Sequence, residues 1–282
     1  MKTARLIITC FLPALVAGCS LFGTPSFSPL EMEYPRGLEP PDMFRLLEDR
    51  HENPTTLWAG GKITLSGGEL KGSKFFHSTL LYQEPDRIRL RGSRMITSTL
   101  FEFIINGERA AFLLNRDKLW FEGETREMRE REAATLGMDP ARLPLSLLVH
   151  QEFLRLFREG RLEKWREVRD DYLFVGQKEA DSKVAFLVTK KDLLIREAAL
   201  YNAKGRLSLK LSYRSYDYFD GMLLPRDLEA YIPASGMKAR ISVKEYKFPP
   251  VFKDAVFRMS PPPGFQRRPL RELWEPSGTG MP

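Results

Sequence analysis

We predict a mainly β protein with α-helices (α+β class), in which a large antiparallel sheet forms a curved layer or a barrel. From residue 57 to residue 246, segments of alternating apolar and polar residues recur about every 10 to 14 positions, with turn residues between them. Apolar residues at helical spacing are confined to a few short segments. At 43% hydrophobic and 29% charged residues, the composition is typical of a folded protein with its own core.

The first predicted elements are a helix and a β-meander. Pro40-Pro41-Asp42 favours the start of a helix, and the stretch His51-Glu52-Asn53-Pro54 should end it. Period-two alternation then predicts antiparallel strands over residues 57–123. Within them, Asn106-Gly107 is the strongest short hairpin signal.

Two strands of this meander are apolar on both faces, namely residues 75–81 and 100–105. A strand buried on both faces needs a cover on each side of the sheet. The segment 139–162 has leucines and phenylalanines at helical spacings and should end between Gly160 and Arg169. We expect one amphipathic helix there, or two short ones split near His150, to supply that cover.

The second half of the chain is predicted to consist of strands. They cover residues 172–175, 184–189, 195–201, 207–213, 226–231 and 239–246. The end of the chain is rich in proline and glycine, so we expect the folded domain to end at residue 265 and the tail 266–282 to be disordered.

The start of the chain has the pattern of an export signal. Two basic residues precede an apolar run that is too short for a permanent membrane span. The stretch Val16-Ala17-Gly18-Cys19 resembles the lipobox of bacterial lipoproteins. That resemblance implies removal of residues 1–18 and acylation of Cys19, and Ser20 implies sorting to the outer membrane. The alternative is an ordinary cleaved signal in which Cys19 only follows a small residue.

Composition limits the chemistry of the exported protein. Both cysteines of the chain, Cys10 and Cys19, belong to the signal region, so no pair remains for a disulfide or a thiolate metal site. Residues 19–38 would form the acylated cysteine and a flexible tether rich in Ser, Pro and Gly, and the folded domain would span 39–265. The formal net charge is +7, which could mean attraction to anionic lipid headgroups or glycan, but charges of both signs are interleaved, as on a solvated face. Nucleic acid is not expected as a partner of an exported, lipid-anchored chain.

Four stretches, taken in their order, resemble the LolA/LolB lipoprotein-carrier superfamily. They are LLYQEPDRIRL (80–90), LYNAKG (200–205), YDYFDGMLLP (216–225) and VFRMSPPPGF (256–265). Members show a turn before a glycine, a Gly-x-x-x-Pro start to the next strand, and a terminal Phe with Pro-Gly. The resemblance covers most of residues 55–265 and implies an unclosed β-barrel, capped by helices, around an apolar cavity for acyl chains.

The resemblance also bears on the branch of the superfamily. In the soluble carriers a basic residue precedes the proline of the first stretch, whereas this chain has Glu84 before Pro85. The membrane-anchored branch, which presents an apolar loop residue to the bilayer, therefore fits better. The matching loop is 92–99, and Met95 and Ile96 are the candidate membrane contacts. They could equally be buried against the sheet.

Catalytic and metal-binding patterns are absent from the sequence. His51, His77 and His150 lie in different predicted elements without ligand spacing, and no nucleophile elbow, zinc-protease motif or phosphate loop occurs. The aromatic residues of 213–219 could stack on sugars or pack a barrel corner. We expect no cofactor and no resident metal.

The resulting hypothesis is a non-enzymatic, monomeric lipoprotein, anchored in the outer membrane and facing the periplasm. It would bind the acyl chains of a lipid or lipoprotein and act in lipoprotein or lipid transport or in envelope biogenesis. The alternative is an envelope stress sensor or assembly scaffold that binds a protein partner with the same fold. A third possibility, an envelope hydrolase, requires carboxylates or histidines that converge inside the cavity.

Overall fold

The computed structural model describes residues 37–50, 54–68, 70–95, 98–132, 146–179 and 182–273. Residues Met32–Pro282 group into one compact unit, and the described ranges of that unit carry the fold. The proposed signal, Cys19 and the tether as far as residue 36 lie outside the described residues.

The helices are short and the strands dominate. The helices are α1 (Pro40–Arg50), α2 (Thr125–Glu132) and α3 (Val149–Arg158), with 3-10 turns at Asp254–Phe257 and Leu270–Leu273. The strands of the first half are β1 (Thr56–Gly67), β2 (Lys74–Gln83), β3 (Arg87–Met95), β4 (Ser98–Asn106), β5 (Arg109–Leu114) and β6 (Leu119–Glu124). Those of the second half are β7 (Leu162–Val168), β8 (Asp171–Glu179), β9 (Ser182–Thr189), β10 (Ile195–Tyr201), β11 (Leu207–Phe219), β12 (Met222–Ile232), β13 (Met237–Lys247) and β14 (Gln266–Pro269).

All these strands belong to one curved 14-stranded sheet, in the order β14-β6-β5-β4-β3-β2-β1-β13-β12-β11-β10-β9-β8-β7. Every pairing is antiparallel except that of β14 with β6. In the part of the chain that the structure describes, the edge strands β7 and β14 do not pair with each other, so the barrel is unclosed. The predicted fold class is confirmed, as are helix α1 and the hairpin at Asn106-Gly107.

The strand register divides the side chains between two faces. We call the face that carries Ile88, Phe103 and Phe174 the inner face, because α1 and α3 pack on it. Phe153 of α3 lies 5.1 Å, between ring centroids, from Phe44 of α1, and at the same distance from Phe174 and from Phe186 of the sheet. Aromatic rings therefore fill the space between the helices and strands β8 and β9.

The outer face is covered by the end of the chain where β4, β5 and β6 are apolar on both sides. Ile104 and Trp120 are 3% and 2% exposed, and Met259 and Phe265 pack against the cluster that contains Trp120. Polar groups hold the segment in place, since Arg87 pairs with Asp254 at 2.7 Å and Arg89 donates to the carbonyl oxygen of Val256. We expected helices to cover these strands, and for the outer face of this sheet region that expectation was wrong.

Two predicted boundaries also need correction. The folded part does not end at residue 265, because β14 pairs with β6 and Leu270 is fully buried. The predicted helix does not extend towards Arg169, since α3 ends at Arg158 and β7 begins at Leu162. Gly160, with φ of +66°, allows the chain to reverse there. The earlier part of that segment, residues 133–145, lies outside the described residues.

Candidate functional site: an apolar inner face

The strands meet at two ends of the sheet, which differ in burial. The end of the sheet at which β1 connects to β2, β3 to β4, β5 to β6 and β12 to β13 is here called the open end. We call closed end the opposite edge, where β2 joins β3, β4 joins β5 and β11 joins β12. This assignment follows from the register of the antiparallel pairs.

In strands β1 to β6, inner-face side chains are well buried at the closed end, whereas several towards the open end are only partly buried. In the other half of the sheet the open end is also buried, since Ile232 and Ala239 are 2% and 5% exposed there. At the closed end Leu57, Ile88 and Ile105 are 0%, 2% and 3% exposed. The partly buried apolar residues of the inner face towards the open end are Leu65, Leu90, Phe101, Phe112, Leu114 and Leu119. Apolar surface at the open end is therefore accessible to a ligand.

Phenylalanines line this accessible region. The Phe101 ring lies 5.0 Å from the Phe76 ring, edge to face, and 6.0 Å from the Phe112 ring, stacked. We call Phe76, Phe101 and Phe112 the aromatic row. Gly92 on β3 makes room for it, because a Cβ atom there would lie 2.3 Å from the Phe101 ring. The row crosses β2, β4 and β5 as a continuous apolar surface.

A small cavity lies in the middle of the inner face. It is lined by Ala59, Ile63, Leu80, Leu147 and neighbouring residues and has a volume of about 20 Å³. That volume accommodates about one water molecule. This cavity is therefore too small for an acyl chain.

Buried polar groups on the inner face serve packing. The Tyr213 hydroxyl donates to the Ser146 carbonyl and the Tyr216 hydroxyl to the Ile195 carbonyl, at 3.0 and 2.6 Å. Burial raises the pKa of Tyr213, and it raises the pKa of Tyr82 to about 12, with Glu84, Glu152 and Asp86 adding to the effect. Tyr213 and Tyr216 thus secure the junction between the sheet and the segment around α3.

The candidate acid, base and metal residues do not converge in the described part of the chain. His150 is buried and accepts a bond from the Ile195 N–H at 3.4 Å, whereas His77 is exposed on β2. Over the described ranges, no group of three His, Cys, Asp or Glu side chains could hold a metal ion. In the same ranges, no helix has the length and apolarity needed to cross a membrane.

The residues predicted to contact a membrane are not tested by the structure. Of the two candidate contacts, Ile96 lies outside the described residues, and so does the side chain of Met95. The acylation site Cys19 and the histidine His51 are outside them as well. The segment predicted as a loop, 92–99, is mostly strand, since residues 92–95 belong to β3 and residues 98–99 to β4, and these strand ends lie at the open end. Met95 and Ile96 therefore stay predictions.

Comparison with known proteins identifies the fold. No family model and no curated protein matches the chain. Among solved structures, a LolA superfamily protein from Nitrosomonas europaea is 12% identical, with a TM-score of 0.53 over 79% of this chain and 98% of that one. A domain assigned to outer membrane lipoprotein sorting from Vibrio parahaemolyticus is 14% identical, with a TM-score of 0.51 over 77% of this chain and 95% of that one.

A third structure, a DUF1329 family protein from Desulfovibrio piger, is 13% identical and has a TM-score of 0.52, covering 77% of this chain and 95% of that one. The chain therefore has a LolA/LolB-like fold, as its sequence motifs predicted. At these identities the likeness establishes the fold and leaves the ligand to be argued from the chain itself.

Proposed function

We propose that this protein is a non-enzymatic envelope lipoprotein that binds acyl chains of a lipid or lipoprotein on the open end of its inner face. The observation that carries the proposal is the partial exposure of Phe101 and Phe112 of the aromatic row, next to a closed end that is well packed. A folded protein gains free energy by covering such apolar surface, at roughly 25 cal/mol per Å². An acyl chain is a ligand of matching chemistry, because the row offers phenylalanine rings and partly buried leucines lie beside it.

Binding of a fluorescent fatty acid to the Met32–Pro282 unit would test this proposal. A charge at Phe112, introduced as Phe112→Glu, should abolish binding because a carboxylate would have to be desolvated by the ligand. Tyr218→Glu is the matched control, since Tyr218 is 42% exposed on β11 near the closed end. Equal binding by wild type and Phe112→Glu would refute the proposal.

We further propose that acylated Cys19 anchors the protein in the outer membrane, facing the periplasm as a monomer. The support is the lipobox-like stretch that ends at Cys19. Several acyl chains on one residue give a lasting anchor, whereas one chain binds reversibly. Incorporation of labelled palmitate by the wild type and its loss in Cys19→Ser are the expected results, and labelling that survives Cys19→Ser would contradict them.

A second candidate function is a scaffold or sensor that binds a protein partner. The observation that favours it is the edge strand β7, where Trp165 is 40% exposed beside a depression of about 570 Å³. An edge strand can pair with a strand of a partner. Crosslinking in cells separates the candidates, because a scaffold should give one dominant protein adduct and a carrier should give many lipoproteins.

A further inference from the structure

The open end of the sheet carries a ring of cationic side chains. In sheet order from β6 to β10 they are Lys118, Arg116, Arg94, Lys74, Lys71, Lys238, Arg206 and Lys204, and all of them are exposed. We call these residues the cationic rim. The turns that bear them also contain two carboxylates, Asp117 and Glu69, of which Glu69 lies outside the described residues.

The cationic rim differs from the basic residues elsewhere on the sheet. About half of the other basic residues of the described strands are paired with a carboxylate, as Arg89 is with Glu102 at 2.7 Å and Arg226 with Asp217 at 2.8 Å. Over the described residues, none of the rim side chains makes a salt bridge. Unpaired cations that are close together repel one another, so an anionic surface would lower their free energy.

The closed end has the opposite character in the same part of the sheet. Its turns carry Glu84 and Asp86 between β2 and β3, Glu108 between β4 and β5, and Asp220 between β11 and β12. Two cations begin the strands that follow, namely Arg87, which pairs with Asp254, and Arg109, so the carboxylates outnumber the cations there. The charge is therefore separated along the strand direction. An anionic surface would be attracted to the open end and repelled from the closed end.

Exposed apolar side chains accompany the cations. Leu70 and Phe75 are 36% and 58% exposed and are next to Lys71 and Lys74 in the chain. The ammonium group of Lys62 lies 4.5 Å from the centroid of the Phe75 ring. A soluble polyanion would use only the cations, whereas the interface of a bilayer accepts apolar side chains as well.

We propose that the cationic rim docks on a bilayer that contains anionic lipid, with Leu70 and Phe75 inserted among the headgroups. The same end of the sheet exposes the aromatic row, so docking would present the apolar inner face to the membrane. The proposal does not depend on acylation of Cys19 or on acyl-chain binding, since it rests on the charges and exposed side chains of the turns.

Vesicle co-sedimentation of the Met32–Pro282 unit, which lacks Cys19, tests the proposal. The vesicles contain phosphatidylcholine with or without phosphatidylglycerol. Since each lysine near an anionic surface contributes roughly a fivefold gain, Lys71→Ala/Lys74→Ala should bind about 25-fold more weakly. Lys191→Ala/Lys253→Ala is the matched control, because it removes the same charge from exposed sites away from the rim and should bind as the wild type does.

A third variant separates a bilayer from other polyanions. Phe75→Ser should weaken binding to the anionic vesicles about tenfold, because the ring no longer enters the interface. It should leave binding to heparin, a soluble polyanion, unchanged. Binding to neutral vesicles as strong as to anionic ones, equal loss in the control pair, or full vesicle binding by Phe75→Ser would overturn the proposal. Circular dichroism confirms that each variant is folded before it is compared.

Discussion

Truncation of two phenylalanines of the inner face should have different energetic costs. Phe153 is fully buried and its ring contacts three other rings at 5.1 Å, so Phe153→Ala removes transfer energy and leaves a sealed cavity. We expect a loss of about 4 kcal/mol in the free energy of unfolding. Phe112 is only partly buried in the aromatic row, and the gap left by Phe112→Ala opens towards solvent. Phe112→Ala should therefore lower the free energy of unfolding by only about 2 kcal/mol, because no sealed cavity adds to the lost transfer energy.

The assay is urea unfolding of the Met32–Pro282 unit, followed by tryptophan fluorescence. The slope with denaturant should be the same for wild type and both variants, so that shifts in the midpoint report stability. Phe112→Ala should also lose fatty-acid binding, whereas Phe153→Ala should retain it wherever the protein is folded. An equal loss of stability in the two variants would show that the open end is ordinary solid core, and the proposed binding face would then be wrong.

Three further predictions concern pH, the end of the chain and a glycine. Burial, aided by Glu84, raises the pKa of Tyr82 from 10.0 to about 12. The contribution of the protonated Tyr82 to the free energy of unfolding is therefore complete below pH 10 and is lost as the pH rises towards 12. The urea midpoint should fall over that range, less steeply in Tyr82→Phe; an equally steep fall would contradict this. Truncation after Phe265 removes buried Leu270 and should cost about 3 kcal/mol or more in thermal or urea unfolding, whereas truncation after Leu273 should cost almost nothing. Gly61→Ala should destabilise the protein by about 2 kcal/mol, because the added Cβ would lie 2.2 Å from the backbone oxygen of Ser242. Gly60→Ala should cost less, because the Cβ added there meets the Trp58 side chain, which can move. Equal urea midpoints for the two variants would contradict this prediction.

Much of the fold could be predicted because local patterns agree with the tertiary structure. The hairpin predicted at Asn106-Gly107 forms, with Asn106 as the last residue of β4 and Gly107-Glu108 as the two-residue connection to β5. Gly107, the first residue of that connection, has the positive φ of 64° that such a turn favours. The C-terminal cover could not be predicted, because proline-rich sequence without periodicity gives no sign that it will pack. Its burial depends on Phe257 and Leu270 meeting strands that are distant in the sequence.

The candidate site was predictable in part. Once the hairpin connection is known, the register of β4 and β5 follows, and it places Phe103 opposite Phe112 and Phe101 opposite Leu114 on one face. What the pattern could not provide is the difference in burial between the two ends. That difference depends on where α1 and α3 lie on the sheet, which is set by long-range packing of Phe44 and Phe153.

The most direct test of acyl binding on the aromatic row is native mass spectrometry of the chain carrying Cys19→Ser, purified without detergent. This substitution removes the proposed covalent acylation, so any lipid that remains is bound by contacts alone. We predict added mass that corresponds to an acyl lipid in this protein and its loss when Phe112→Glu is also present. A protein free of lipid, or the same lipid retained after Phe112→Glu, would contradict the account.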